Sequence, residues 1–154
     1  MKIKLYMDFL NNESYELIKE IIMLKKERNI DIEIIAYNHS HSDDINNAYY
    51  GYEYANNYGV GLEFLEILLR KHYIDSLDIG NSEIVADAFA ELGYVRDNMI
   101  DAIIEGDYQD MHEFKQYRIK HDNVDSSIYA LSYDDNNNKE VIIGKENILK
   151  TLNK

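Results

Sequence analysis

The chain has 154 residues, 45% of them hydrophobic and 29% charged, the balance of a globular protein whose length predicts one domain with a substantial core. A formal net charge of −13 argues against phosphate-backbone binding, which needs clustered Lys and Arg, so nucleic acid is not an expected partner. Cysteine, proline and tryptophan are all absent, and without a thiol no disulfide, thiolate nucleophile or cysteine-metal site can exist.

Lys2, Lys4 and Asp8 interrupt the first apolar run before it could act as a signal segment, and no stretch approaches the ~20 apolar residues of a membrane span. The expected location is therefore the cytoplasm, with no membrane partner. Lys25, Lys26 and Arg28 form the one basic cluster, and they sit among acids as a solvated helix end.

In chain order, residues 3–7 mix apolar and β-prone types and predict a strand. Leu17, Ile18, Ile21, Ile22 and Leu24 then recur at helical spacing, with Lys19, Glu20, Lys25 and Glu27 on the other face. Asn11 or Asn12 is the expected N-cap, with Glu13 in the first turn where it suits the helix dipole. A second strand is predicted at 32–37, and a β-α-β opening predicts parallel pairing. The middle is helical: 44–58 (interrupted by Gly51), 62–73, 82–92 closed by Gly93, about 95–105, and 108–120. A strand at 127–133, a polar turn at 134–138, a hairpin partner at 140–143 and a helix at 146–152 complete the chain. The fold class is α/β, thioredoxin-like (β-α-β … β-β-α), with an all-helical insertion after the second strand. The core is expected over about 1–38 and 120–154, and the insertion over about 44–120.

The run Leu5-Tyr6-Met7-Asp8-Phe9-Leu10, followed by Asn11-Asn12-Glu13-Ser14-Tyr15, resembles the active-site approach of DsbA-like oxidoreductases, in particular the FrnE and polyketide-synthesis branch. In those proteins a strand ends in Asp-Phe and Cys-Pro-x-Cys-Tyr opens the first helix. Arg70-Lys71-His72-Tyr73, Asp78-Ile79-Gly80-Asn81 and Val85-Ala86-Asp87 through Leu92-Gly93 are similar to the family's helical insertion, in order and at like spacing. Asn123-Val124-Asp125 resembles the Gly-Val-Pro before the third strand, and Ile143-Gly144-Lys145 the glycine before the last helix. The likeness spans nearly the whole chain. The connection after Tyr37 is shorter than in relatives, which would leave part of the usual substrate groove unbuilt.

What the resemblance implies about chemistry is a loss. Asn11 stands where the family has its nucleophilic Cys, and Ser14 where it has the resolving Cys. An amide is not redox active, and a hydroxyl has no thiolate-like reactivity without an activating base. Asp125 replaces the cis-proline facing the motif; a cis bond before a non-proline residue costs ~2.5–4 kcal/mol, so a trans bond is expected there. Its carboxylate would also suit a position near a helix N-terminus. Asn11, Asn12, Glu13, Ser14 and Asp125 therefore form a degenerate motif with no catalytic residue expected. Asn11, Ser14, Tyr15, Val124 and Asp125 are the candidate binding residues.

The leading functional reading is a non-catalytic binding or interaction module, a pseudo-oxidoreductase with a protein or peptide partner, or a second copy in a homodimer. The alternative is a cysteine-independent enzyme of the kappa glutathione transferase and hydroxychromene-carboxylate isomerase branch. Its site would be lined by Ser14, Asn11 and Tyr15. That branch uses Ser at the first motif position, held here by Asn11, and glutathione is the one cofactor it leaves open.

Other groupings carry less. His39 and His41, with Asp43 and Asp44 nearby, are the only weak metal candidates, and such polar loops are commonly just solvated. His72, His112 and His121 are scattered. Tyr49, Tyr50, Tyr52, Tyr54 and Tyr58 read as rings packing the helical block onto the sheet, or as a binding or self-association surface. No carboxylate pair has a spacing that signals acid/base work.

Overall fold

The computed structural model describes residues 1–121 and 126–154. It separates into two compact units, Met1–Ser40 with Asn123–Lys154, and His41–Asp122.

The first unit is built on a four-stranded sheet. Strand β1 (Lys2–Met7) pairs in parallel with β2 (Asp31–Ala36), with Lys2 opposite Asp31 and Met7 opposite Ala36. On its other side β1 pairs antiparallel with β3 (Ile128–Tyr133), which pairs antiparallel with β4 (Lys139–Ile143), giving the order β2-β1-β3-β4. As an inner strand β1 buries Ile3, Leu5 and Met7 on one side and Tyr6 on the other, while Lys2 and Lys4 near its start remain exposed or half-exposed. Helix α1 (Ser14–Glu27) buries Leu17, Ile18, Ile21 and Leu24, each contributing roughly 1.5–3 kcal/mol by leaving water. The final helix of the chain (Lys145–Leu152) packs on α1 and buries Ile148 and Leu152. The Arg28 guanidinium donates to the Leu152 carbonyl. Lys145 Nζ lies 2.9 Å from Glu16 Oε2 and 3.6 Å from Glu13 Oε2. Its hydrogen bond and charge hold the Glu16 carboxyl below the usual range.

The second unit contains five helices, α2 (Asn46–Asn57), α3 (Gly61–Tyr73), α4 (Ser82–Ala90), α5 (Arg96–Glu105) and α6 (Gln109–His121), which makes the final helix α7. Gly51 lies inside α2, where glycine is normally a poor choice. A Cβ there would collide with Val85 Cγ1 of α4 and stand 3.3 Å from Phe64 Cζ of α3 and 3.4 Å from Met99 Sδ of α5. Three helices converge on that point, and only a residue without a side chain permits it.

The tyrosines of α2 pack this unit internally. Tyr49 and Tyr52 are buried. Tyr54 meets Tyr58, Phe89 and Tyr108 at ring-centroid distances of 5.1, 5.4 and 5.6 Å, and Phe89 stacks on Tyr94 at 4.7 Å. Burial, and then the 3.2 Å contact between the Tyr54 and Tyr58 hydroxyls, push the Tyr54 phenol up to about 12.

Several boundaries depart from expectation by one or two residues, each for a visible reason. Strand β2 runs 31–36 rather than 32–37, although Tyr37 N still donates to Met7 O at 3.0 Å. Strand β3 starts at Ile128 rather than Ser127, although the Ser127 carbonyl accepts from Asp8 N at 2.8 Å. Helix α4 ends at Ala90, before the expected Leu92, and the chain reverses through a turn in which Gly93 takes φ +89. The expected N-cap of α1 is corrected: the cap position is Glu13, not Asn11 or Asn12, and Glu13 makes no side-chain cap. Asn11 acts one turn earlier, as described below.

Candidate functional site

The degenerate motif lies in the first unit, where the chain leaves β1 and enters α1. Two successive Asx turns make this passage. The buried Asp8 carboxylate accepts from Leu10 N at 2.9 Å through Oδ1, and Asn11 N donates to the Asp8 carbonyl at 3.1 Å. Asn11 Oδ1 then accepts from Glu13 N at 2.8 Å, the bond an N-cap side chain would make, delivered just ahead of the helix. Ser14 N closes the second turn on the Asn11 carbonyl at 3.0 Å.

The other end of the Asn11 amide points across the sheet. Its Nδ2 donates to Ser127 Oγ at 2.6 Å, a link between residues 116 apart in sequence. Asp8 makes a comparable long reach, Oδ2 accepting from Ser40 N at 2.8 Å. Ser14 is fully buried, and its hydroxyl donates to the Phe9 carbonyl at 3.2 Å. Asn11, Asp8, Ser14 and Ser127 thus form a local polar knot in which each side chain holds backbone or a partner side chain.

This arrangement decides what chemistry is available. The Asn11 carboxamide is not a nucleophile, and both of its ends are engaged in hydrogen bonds. The Ser14 hydroxyl is turned inward onto a carbonyl, and an oxygen that donates to a carbonyl is not activated by a base. Tyr15 projects beside them at intermediate exposure, with Lys19 Nζ 4.5 Å from its ring centroid, an attractive cation–ring geometry. Asn12 and Glu13 are exposed. Val124 and Asp125 lie outside the described residues, so the peptide geometry expected at Asp125 does too.

The sequence reading missed Asp8 and Ser127 as parts of this assembly. The buried aspartate had a signal, since an acid directly after an apolar strand must find donors to be buried at all. Ser127 had none, because only the pairing of β1 with β3 brings it to Asn11.

The weak metal candidates His39 and His41 are assigned to different units. His39 lies in the first unit, its ring 5.4 Å from that of Tyr37 and at 74° to it. His41 begins the second unit, with φ +54. Among the described residues no group of three or more His, Cys, Asp or Glu is placed to hold a metal ion, and no helix is long and apolar enough to cross a membrane.

The blocks that carried the resemblance in the second unit have structural work. Asp78 Oδ1 accepts from Gly80 N at 2.8 Å, and Asn81 Oδ1 accepts from Glu83 N at 2.8 Å to cap α4. At Gly80 a Cβ would strike the Asp44 carbonyl, and the Gly80 carbonyl accepts from Asn47 Nδ2 at 2.8 Å. Arg70 and Lys71 of α3 pair with Glu91 at 3.2 and 3.6 Å.

One buried charge was not anticipated. Glu53 is 3% exposed; its Oε2 meets Lys115 Nζ at 2.7 Å, while its Oε1 has no hydrogen-bond partner. The buried His112 stacks on Tyr49 at 4.8 Å and meets Tyr50 edge-on at 5.6 Å. Burial lowers its pKa to about 4.

No protein-family model matches the chain, and no curated protein does. Solved structures match over almost its full length. The cytosolic disulfide reductase DsbM from Pseudomonas aeruginosa aligns with a TM-score of 0.70 at 13% identity, over 93% of this chain and 89% of its own. DsbA from Pseudomonas aeruginosa aligns with a TM-score of 0.71 at 13% identity, over 99% of this chain and 81% of its own. A candidate protein disulfide isomerase from Nitrosomonas europaea aligns with a TM-score of 0.73 at 10% identity, over 99% and 97%. At such identities the likeness carries the architecture, and its conclusion is structural: this chain has the thioredoxin-like fold of DsbA-type disulfide oxidoreductases and contains no cysteine.

Proposed function

We propose that this protein is a non-catalytic relative of DsbA-type oxidoreductases, a pseudoenzyme of the FrnE-like branch that acts as a binding module for a protein or peptide. The reading is supported above all by the state of the motif: the chain has no cysteine, and Asn11, where the family would hold its nucleophile, is bonded at both ends of its amide to Glu13 and Ser127. Dithiol exchange needs two sulfur atoms that can cycle between thiol and disulfide. None can be supplied from within this sequence. Its proposed location is the cytoplasm.

The glutathione-using alternative draws little support from the site, because Ser14 is buried and donates to the Phe9 carbonyl. A combined assay separates the readings. The purified chain is expected neither to reduce insulin nor to oxidise a dithiol peptide, and reduced glutathione is expected to give no binding heat at millimolar concentration. Turnover in either thiol assay would overturn the pseudoenzyme reading. Glutathione binding that vanishes in Asn11→Ala would favour the transferase or isomerase reading instead.

A further inference from the structure

Helix α6 is amphipathic in an unusual way. It faces inward through His112 and Ile119, 4% and 3% exposed, which are seven residues apart and so share one face. Its opposite face presents large apolar side chains to solvent: Met111 at 44%, Phe114 at 60% and Tyr117 at 62% exposure. These three residues are spaced three apart and so lie along one side of the helix.

The charges along the same helix say what fits it. Its first half carries exposed Asp110 and Glu113, and its second half exposed Arg118 and Lys120. The Arg118 guanidinium lies 6.0 Å from the Phe114 ring. Basic residues also close α1 and α3; in α6 they stand beside exposed aromatic rings. Phe114 sits near the middle. A pattern that is acidic on one side of a central apolar residue and basic on the other is complementary to itself when inverted.

We propose that α6 is a self-association surface that pairs with α6 of a second copy, antiparallel about a twofold axis passing near Phe114. Phe114 then meets Phe114, and the half bearing Asp110 and Glu113 lies along the half bearing Arg118 and Lys120. The opposed helix dipoles favour the same arrangement. One helix pair buries less than the ~1,200 Å² of a standard stable interface, so the dimer is weak and concentration-dependent. The net charge of −13 per copy opposes it, a repulsion largely screened beyond ~8 Å at physiological ionic strength. The inference rests on α6 alone and stands or falls independently of the pseudoenzyme reading.

Sedimentation equilibrium of the full chain at physiological salt tests it. The apparent mass should rise from 18.1 kDa toward twice that value between low and high micromolar concentration. Phe114→Glu should weaken association at least tenfold while leaving the circular dichroism spectrum and melting temperature in place, because Phe114 is exposed. Asp110→Arg and Arg118→Asp should each weaken it, and the two together should restore it. The absence of cysteine adds a clean readout. Phe114→Cys should cross-link through a short bismaleimide, whereas Lys154→Cys should not. A chain that stays at 18.1 kDa throughout, a dimer indifferent to Phe114→Glu, or a double charge reversal that fails to restore association would each overturn the proposal.

Discussion

Asn11 Nδ2 donates to Ser127 Oγ at 2.6 Å while its Oδ1 accepts from Glu13 N at 2.8 Å. A single side chain just ahead of α1 therefore ties the start of that helix to the residue preceding β3. The same helix start that would stabilise a thiolate through free N–H groups is here occupied by an amide oxygen.

Asn11→Ala removes both bonds at once. Each is worth about 0.5–1.5 kcal/mol net, so the variant should be about 1–3 kcal/mol less stable by urea denaturation with an unchanged m-value. Asn11→Asp keeps the acceptor for Glu13 N and should lose less. Equal losses in the two variants would show that the Asx turn contributes nothing.

Gly51→Ala pits two effects against each other. Helix propensity favours alanine by about 1 kcal/mol, whereas the new methyl would strike Val85 Cγ1 and press on Phe64. Overpacking of this kind costs typically 1–3 kcal/mol, so a net loss is expected. Combining it with Val85→Ala makes room for the methyl, and the double variant should be less unstable than the sum of the singles. Thermal melts of the four proteins decide it, and a stabilised Gly51→Ala would refute the convergence of α2, α3, α4 and α5 at that point.

Lys115→Met leaves the buried Glu53 carboxylate with no charge partner. Breaking a buried pair on one side is strongly destabilising; with Lys115 partly exposed, about 2 kcal/mol is expected. Lys115→Met together with Glu53→Leu removes both charges and should recover most of that loss. Chemical denaturation of the two variants measures the difference.

His112 makes stability depend on pH. Its ordinary pKa near 6.5 falls to about 4 in the folded chain because burial disfavours the charged ring. The unfolded chain then takes up the proton first, so the contribution of His112 is fully present above pH 6.5 and is lost as pH falls toward 4. At about 1.4 kcal/mol per pH unit inside that window, roughly 2 kcal/mol should disappear between pH 7.5 and 5. His112→Phe keeps a flat ring against Tyr49 and should show a visibly shallower decline over the same range. Parallel declines in both proteins would assign the acid sensitivity to other groups.

Much of the architecture could be read before any coordinates. Apolar repeats every three to four residues from Leu17 to Leu24 follow from which face must leave water. Boundaries were less accessible: the start of α1 depends on whether an asparagine caps the helix or makes a turn before it, and both use the same side-chain acceptor. Gly51 read as an interruption, since nothing local announces that three other helices approach the same backbone.

By itself the sequence determined that no thiol chemistry is possible here and that a β-α-β opening is followed by helices and a closing hairpin, because atom content and hydrophobic periodicity are properties of the chain alone. Only the tertiary structure decided that Asn11 joins Ser127, that Ser14 faces inward, that Glu53 is buried against Lys115, and that Phe114 stands in solvent. Those outcomes depend on which surfaces meet at long sequence separation, and a linear pattern does not encode which partner a polar group will find.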